Sequence, residues 1–452
     1  MQDHDLISAF RYGYGLGGIH ANTAPGLLKE LRGKDKALQE YPTHDVAKAI
    51  EIYRAIRKAD KEISDGINGA KERREAAGKV LRRTILNSLR ATLMRAVYTE
   101  APFRERLVHF WLDHFTVSAK SRRTRLLLMP MIDEAIRPNI SGKFSDLLRA
   151  ADLHPAMLFY LDQQDSIGPN SEIGKRRNKG LNENLARELI ELHTIGVNGS
   201  YTQEDVRQLA ELLTGIRFLP KRGVIYEKRQ AEPGSEKVLG KTYDSDAKAR
   251  KAIDEFLQDV SLRPDTAKHI SRKLVTHFIG KDCDPNLVEQ MAEAYLGSKG
   301  DLSETYKVML DHTDAWRPLG AKVRLPFEYV ASGLRALQVP KPQLAELPRN
   351  QYRKYIILPM QLMGQKLFEP PGPDGWPEEP EAWMTPATLA GRLQWAMQVA
   401  DEAKNRIDPR EFLPRAIGPN RGSDALRFAV QASENKQEAI AMVLASPEFN
   451  RR

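Results

Sequence analysis

Lys79-Val80-Leu81-Arg82-Arg83-Thr84-Ile85-Leu86-Asn87-Ser88-Leu89-Arg90-Ala91-Thr92-Leu93-Met94-Arg95-Ala96-Val97-Tyr98-Thr99 is the stretch that decides the fold class. Leu81, Ile85, Leu89 and Leu93 recur every four residues, and Leu86 and Val97 widen the stripe. This is the apolar face of a helix. Phe103 to Val117 repeats the pattern through Phe103, Leu107, Phe110, Trp111 and His114, with Pro102 suited to a first turn. Thr202 is a cap ahead of Val206, Leu209, Leu212 and Leu213, and an acid three residues later approximates a capping box. Pro264-Asp265 opens a helix through Ile270, Leu274 and Phe278 that Gly280 stops, and a further helix is expected from Pro326 to Leu337.

Strand signals are few. Ile216–Leu219, Val224–Tyr226 and Lys237–Leu239 predict a small antiparallel ribbon within 215–243, with Gly223 and Pro233-Gly234 in its turns. The expected class is therefore all-α with that β-ribbon: one helical assembly over 1–452, with two lobes as a variant. Residues 57–79 carry many charges and few apolar side chains, and read as an exposed helix or helical hairpin. Residues 365–385, rich in Pro, Gly and Trp, read as a loop.

Composition narrows the class further. The chain has 452 residues, 41% hydrophobic and 29% charged, enough to bury a large core without cross-links. Cys283 is the only cysteine, so there is no intrachain disulfide and no cysteine-rich zinc site. No run of 18 apolar residues is present, and Met1-Gln2-Asp3-His4-Asp5 does not begin a signal peptide. A cytoplasmic location is the default reading, with export alongside a partner left open. The net charge of +9 concentrates in Lys120–Arg125 and Lys175–Lys179. Such runs could meet an anionic ligand, but are more commonly solvated surface, and they make nucleic-acid binding the weakest of the functional classes.

Several blocks follow one another in order. They include Arg11-Tyr12-Gly13-Tyr14-Gly15, Phe110-Trp111-Leu112-Asp113-His114-Phe115, Gly142–Leu148, His154–Asp162 and the long Gly180–Val197 block. Tyr201–Val206, Arg272-Lys273-Leu274 and a closing loop from Pro371 to Trp383 complete the series. Together they resemble the bacterial family known as domain of unknown function 1800, over nearly the whole chain. The resemblance implies a helical fold and no established activity. Such proteins are often encoded beside a second uncharacterised family, domain of unknown function 1501, which is similar to alkaline phosphatases and sulfatases. The resemblance thus suggests a phosphatase- or sulfatase-like partner. One departure is local: the family often carries His-Asp before Gly-x-Lys-x-x-Leu-Gly, whereas this chain reads Gln230-Ala231-Glu232-Pro233-Gly234-Ser235-Glu236-Lys237-Val238-Leu239-Gly240.

Candidate chemistry centres on Leu181 to Ile195. On a regular helix, Leu181, Leu185, Leu189 and Leu192 form the buried stripe, and Glu188 lies about 50° from its centre. Glu188 is therefore expected to be buried and bonded to a cation or donor, with Lys273 or a histidine as the partner. Glu183 and Arg187 should pair on the opposite face. His193 lies on the other flank near the helix end, where a carbonyl bond is the structural alternative. His114 shares a face with Leu107, Phe110 and Trp111, while His109 lies about 140° away, so the two cannot ligate one metal. His277 joins the Ile270, Leu274, Phe278 face. Asp162 either caps a turn or points into a cleft.

The enzyme hypothesis takes Glu188, His114, Asp162 and Lys273 as catalytic, with Asn182, Asn184, Arg187, His193 and Trp376 binding substrate. Hydrolysis or transfer on a polar or anionic polymer is the broadest reaction these residues support. No spacing assigns a metal or a cofactor. The alternative is a non-catalytic scaffold or escort whose polar blocks are structural networks.

Overall fold

The structure, a computed structural model, describes residues 3–17, 23–177 and 180–452. Met1, Gln2, Asn178 and Lys179, and with them part of two expected segments, lie outside the described residues. The chain is 65% helical, about twice the share usual in globular proteins. The Lys79–Thr99 stretch is the C-terminal two-thirds of a helix spanning Ala70–Tyr98. Its last turns are buried on every side, from Ala91 to Val97. Arg95 tolerates that burial because its guanidinium makes two bonds to Asp133, at 2.6 and 2.9 Å, and donates to the Tyr41 carbonyl.

The preceding helix, Val46–Ser64, packs against it as an antiparallel hairpin. Gly66 and Gly69, both at positive φ, turn the chain, and Arg73–Glu62 and Arg74–Asp60 bridges tie the tip. The basic run after Lys120 is consumed locally. Arg122 meets Asp60, Arg125 meets Glu369, and Arg123 lies over the rings of Tyr53 and Phe159.

Start signals act as their chemistry dictates. Thr202 accepts from Asp205 N and donates its own N–H to Asp205, a reciprocal cap on the Gln203–Leu212 helix. Pro264 opens Pro264–Phe278, and Gly280, at φ +115°, lies just beyond its end.

Two expectations are corrected. The β structure is two separate two-stranded hairpins rather than one ribbon: Ile216–Leu219 with Gly223–Tyr226, and Ser235–Val238 with Lys241–Asp244. The second turns through Leu239-Gly240, both at positive φ, a conformation that twists a tight hairpin correctly. Pro233-Gly234 instead leads into it. The Leu181–Ile195 segment is not one regular helix either. Asn184–Glu188 is α-helical, and Leu189–Thr194 widens into a π-turn. Five-residue spacing breaks the 100° wheel, so positions after Glu188 rotate away from where regular geometry puts them.

Buried apolar side chains gather mainly in two clusters. The larger takes residues between Tyr12 and Ala315, including Phe103, Leu107 and Trp111. The other joins Leu93–Val97 to the C-terminal helices, from Phe327 to Phe449. The Pro102–His114 helix lies in the first, and Pro326–Ala336, which opens with Phe327, lies in the second. The candidate site forms where they meet. No helix among the described residues is long and apolar enough to cross a membrane.

Candidate functional site

Two neighbouring cavities flank the end of the Pro102–His114 helix. One, of about 230 Å3, is lined mainly by polar residues: Asp113 and His114 with His269, Arg272, Lys273 and Thr276 of the Pro264–Phe278 helix. The other, of about 70 Å3, is mostly apolar and is lined by Leu112, Val117, Leu128, Leu325, Phe327 and Phe368, with His109 and His277. Asp113, Trp376 and Glu378 line both. Clefts at the seam of two cores, mostly apolar with a few convergent polar groups, are the usual setting of a site.

Asp113 occupies that shared wall. The helix presents it one residue before His114, and the 365–385 loop closes over it. Trp376 N donates to Asp113 Oδ1 at 3.0 Å. Gly375 lies flat against the carboxylate at φ +87°, and a Cβ there would stand 2.7 Å from both oxygens. Burial pushes the Asp113 carboxyl up to about 7, against the pull of Lys273. Lys273 forms no hydrogen bond or ion pair with a described residue. Burial draws its ammonium down, and Asp113, Glu378 and Asp374 only partly restore it. An acid and an amine thus face one cavity without neutralising each other. We expect Gly375→Ala to unseat the loop, because it adds both positive-φ strain and a clash with Asp113. A stability loss of about 1–3 kcal/mol, with faster amide exchange confined to 365–385, is the measurable result.

Behind this wall runs a buried charge relay. Glu378 Oε1 lies 2.6 Å from His277 Nδ1, and its other oxygen accepts from Lys322 at 2.5 Å. Arg106 can only donate, so at 3.4 Å His277 Nε2 is the acceptor and Nδ1–H donates to Glu378. Burial, outweighing Glu378, keeps His277 low and neutral. For Glu378 the balance reverses: His277 and Lys322 overcome burial and hold it ionised. Arg106 continues to Glu328, which also binds Arg452 at 3.0 Å. His109 has no hydrogen-bond partner among the described residues. Its ring lies on Phe327, and burial draws it down to about 3.

The structure brings some expected residues together and separates others. His114, Lys273 and Trp376 wall the polar cavity. His114 donates through Nε2 to the His193 carbonyl, and its Nδ1 is buried with no partner. His193 itself turns away, 2.8 Å from the fully buried Asp152. The π-turn explains this rotation.

Glu188 corrects the central expectation. It is half-buried and makes no bond to Lys273, to a histidine or to any other described residue. Burial, Glu191 and Asp374 raise its carboxyl, while His193 and Arg187 oppose them. Glu188 is not among the residues that line either cavity. Asp162 is a turn residue at φ +55°, exposed, and does not line the cavity. Asn182 braces that turn by donating to the Leu161 and Asp162 carbonyls and accepting from Asn184 N. Arg187 is taken by Glu183 at 3.0 Å and Glu191 at 3.2 Å. None of these three reaches the cleft.

Sequence reasoning missed Asp113, Asp374 and Glu378. The signal for Asp113 was its place beside His114 in an apolar helix. Glu378 gave no signal, because its partners lie far away in the chain. Among the described residues, no group of three or more His, Cys, Asp or Glu is arranged to hold a metal ion. No curated protein and no solved structure matches the chain. A family model does, across residues 16–451, and the chain belongs to the family it describes, "Protein of unknown function (DUF1800)".

Proposed function

We propose that this chain is an enzyme of the hydrolase or transferase type that moves protons with Asp113. The observation that supports it is the unneutralised pair, Asp113 and Lys273, on one polar cavity. A structural ion pair would close the gap, since a buried charge without a partner costs several kcal/mol. Groups held apart in this way are kept for a third component. With its carboxyl near neutrality, Asp113 can both take and give a proton at physiological pH. Lys273 supplies positive charge where an oxygen becomes negative in the transition state. Glu378, fixed by His277 and Lys322, holds the far wall, and Trp376 covers the reacting atoms from water. A cavity of this size admits a small molecule or the end of a polymer, not the middle of a rigid chain.

The test is a broad screen of esters, phosphate esters, amides and glycosides with wild type, Asp113→Asn, Lys273→Met and Glu188→Gln. Any turnover found should fall roughly 10²–10⁴-fold in the Asp113 variant, which keeps its fold by circular dichroism. Glu188→Gln should change it much less. Turnover surviving in both cavity variants would sink the reading.

A second reading, the escort, has one observation in its favour. Leu358 and Leu362 on Leu358–Leu362, and Leu393 and Met397 on the adjoining Pro386–Ala403 helix, are exposed apolar side chains. A phosphatase- or sulfatase-like partner that Leu362→Lys with Leu393→Lys releases, with no activity found in the screen, would favour it.

A further inference from the structure

The polar and apolar cavities share a wall of three residues, and one substrate can use both. We infer that the substrate is amphiphilic: a carboxylate head at Lys273 carrying a short unbranched apolar chain that passes Asp113 and Trp376 into the cavity lined by Leu112, Val117 and Leu128. The inference rests on the acid–base site above and names what that site takes.

Three observations carry it. Asp113, Asp374 and Glu378 line the cavity with Lys273 and Arg272, but Glu378 is engaged by His277 and Lys322 and no carboxylate comes within bonding distance of Lys273 among the described residues, so the head that completes Lys273 is an anion. Among the described residues, the second cavity offers no unpaired cation: its charged walls are the shared Asp113 and Glu378 and a Glu328 already engaged by Arg106 and Arg452. Its walls are chiefly aliphatic and aromatic, with His109 neutral and stacked on Phe327. Water confined there would find few partners, and an apolar group would displace it favourably. The size also limits the tail. At roughly 10–15 Å3 of such space per water-sized group, about 70 Å3 holds about five groups, the length of a short acyl chain rather than a membrane lipid.

The junction is where this arrangement becomes chemical. The carbon next to the head would lie against Asp113, with Trp376 N–H already holding one carboxyl oxygen and leaving the other free. Groups that face Asp113 are Lys273 from the Pro264–Phe278 helix and Asp374 and Glu378 from the loop. A carboxylate head beside Asp113 is tolerated best when Asp113 is protonated, so the complex is tighter below neutrality.

Calorimetric titration of the full chain with sodium acetate, butyrate, hexanoate, octanoate and decanoate at pH 6 tests it without any turnover. Affinity should rise roughly threefold to fourfold per added methylene up to six or eight carbons, then stop rising. Leu112→Phe, which fills the apolar cavity from a partly buried position, should flatten the gain for hexanoate and leave acetate unchanged. Leu367→Phe, from the loop side, should do the same if the first variant misfolds. Lys273→Met should weaken every length equally. A flat series, a rise that continues through decanoate, or a chain-length profile unaltered by both phenylalanine variants overturns the inference. Those results leave the acid–base reading intact, since that depends on turnover in Asp113→Asn and not on the tail.

Discussion

Glu328→Ala should destabilise the fold by about 3–5 kcal/mol, the loss expected when a buried charge network is broken from its centre. Glu328 is nearly inaccessible and serves Arg106 and Arg452, both buried, while also accepting from the Leu325 N–H. Removing the carboxylate leaves two guanidinium groups without their counter-ion. Burial alone would raise this carboxyl, but the two arginines hold it down to about 2. A depressed acid stabilises the fold above its unfolded pKa and loses that contribution as pH falls through the folded value. The contribution of Glu328 should thus be complete at pH 6 and disappear between about pH 4.5 and 2. Urea denaturation of wild type and Glu328→Gln at pH 7 and pH 3 checks the sign, with the gap expected to shrink in acid. An equal gap at both pH values would mean that shape, not charge, is what Glu328 contributes. His277 would be disturbed as well, because Arg452 donates to its carbonyl and Arg106 to its ring.

Asp113→Asn should do the reverse and stabilise the protein in alkaline solution. The folded chain holds the Asp113 proton up to about pH 7, whereas the unfolded chain releases it near 4. Between those values the folded state binds more protons, so stability falls as pH rises and levels off above 7. Wild type should have lost about 2–4 kcal/mol through this group by pH 8. The amide keeps the acceptor for Trp376 N–H and removes the charge, so its melting temperature should exceed that of wild type by a few degrees at pH 8 and match it at pH 3, below the unfolded value. A residue kept at a cost to stability is what a working site looks like, and its removal raises stability as it removes function. If the variant melts lower than wild type at both pH values, Asp113 is only a fastener for the loop. Lys273→Met should likewise stabilise near neutral pH, since it removes an unpaired, partly buried cation.

These two side chains mark how far local reading extends. Periodicity, caps and stops are short-range, and they carried the helical class, the Thr202 cap, the Pro264 start and the Glu183–Arg187 pair. Each of these depends on residues three or four apart, which the sequence displays directly. A helical wheel also ranked Glu188 as the most desolvated acid of its segment. That inference assumed a regular helix and an available partner. The π-turn changed the first, and the fold gave Lys273 other neighbours.

Sequence alone determined that the chain is helical, lacks a disulfide and carries polar residues on faces that should be apolar. Tertiary structure decided which of those polar groups are satisfied. Asp152 comes within 2.8 Å of His193, and Glu378 satisfies His277 from 101 positions away, while Asp113, Lys273 and His109 are left open to the two neighbouring cavities. The reason is physical. Burial and pairing are properties of the groups that surround a side chain, and for these residues the surrounding groups come from helices and a loop tens to hundreds of positions away, beyond the reach of any local pattern.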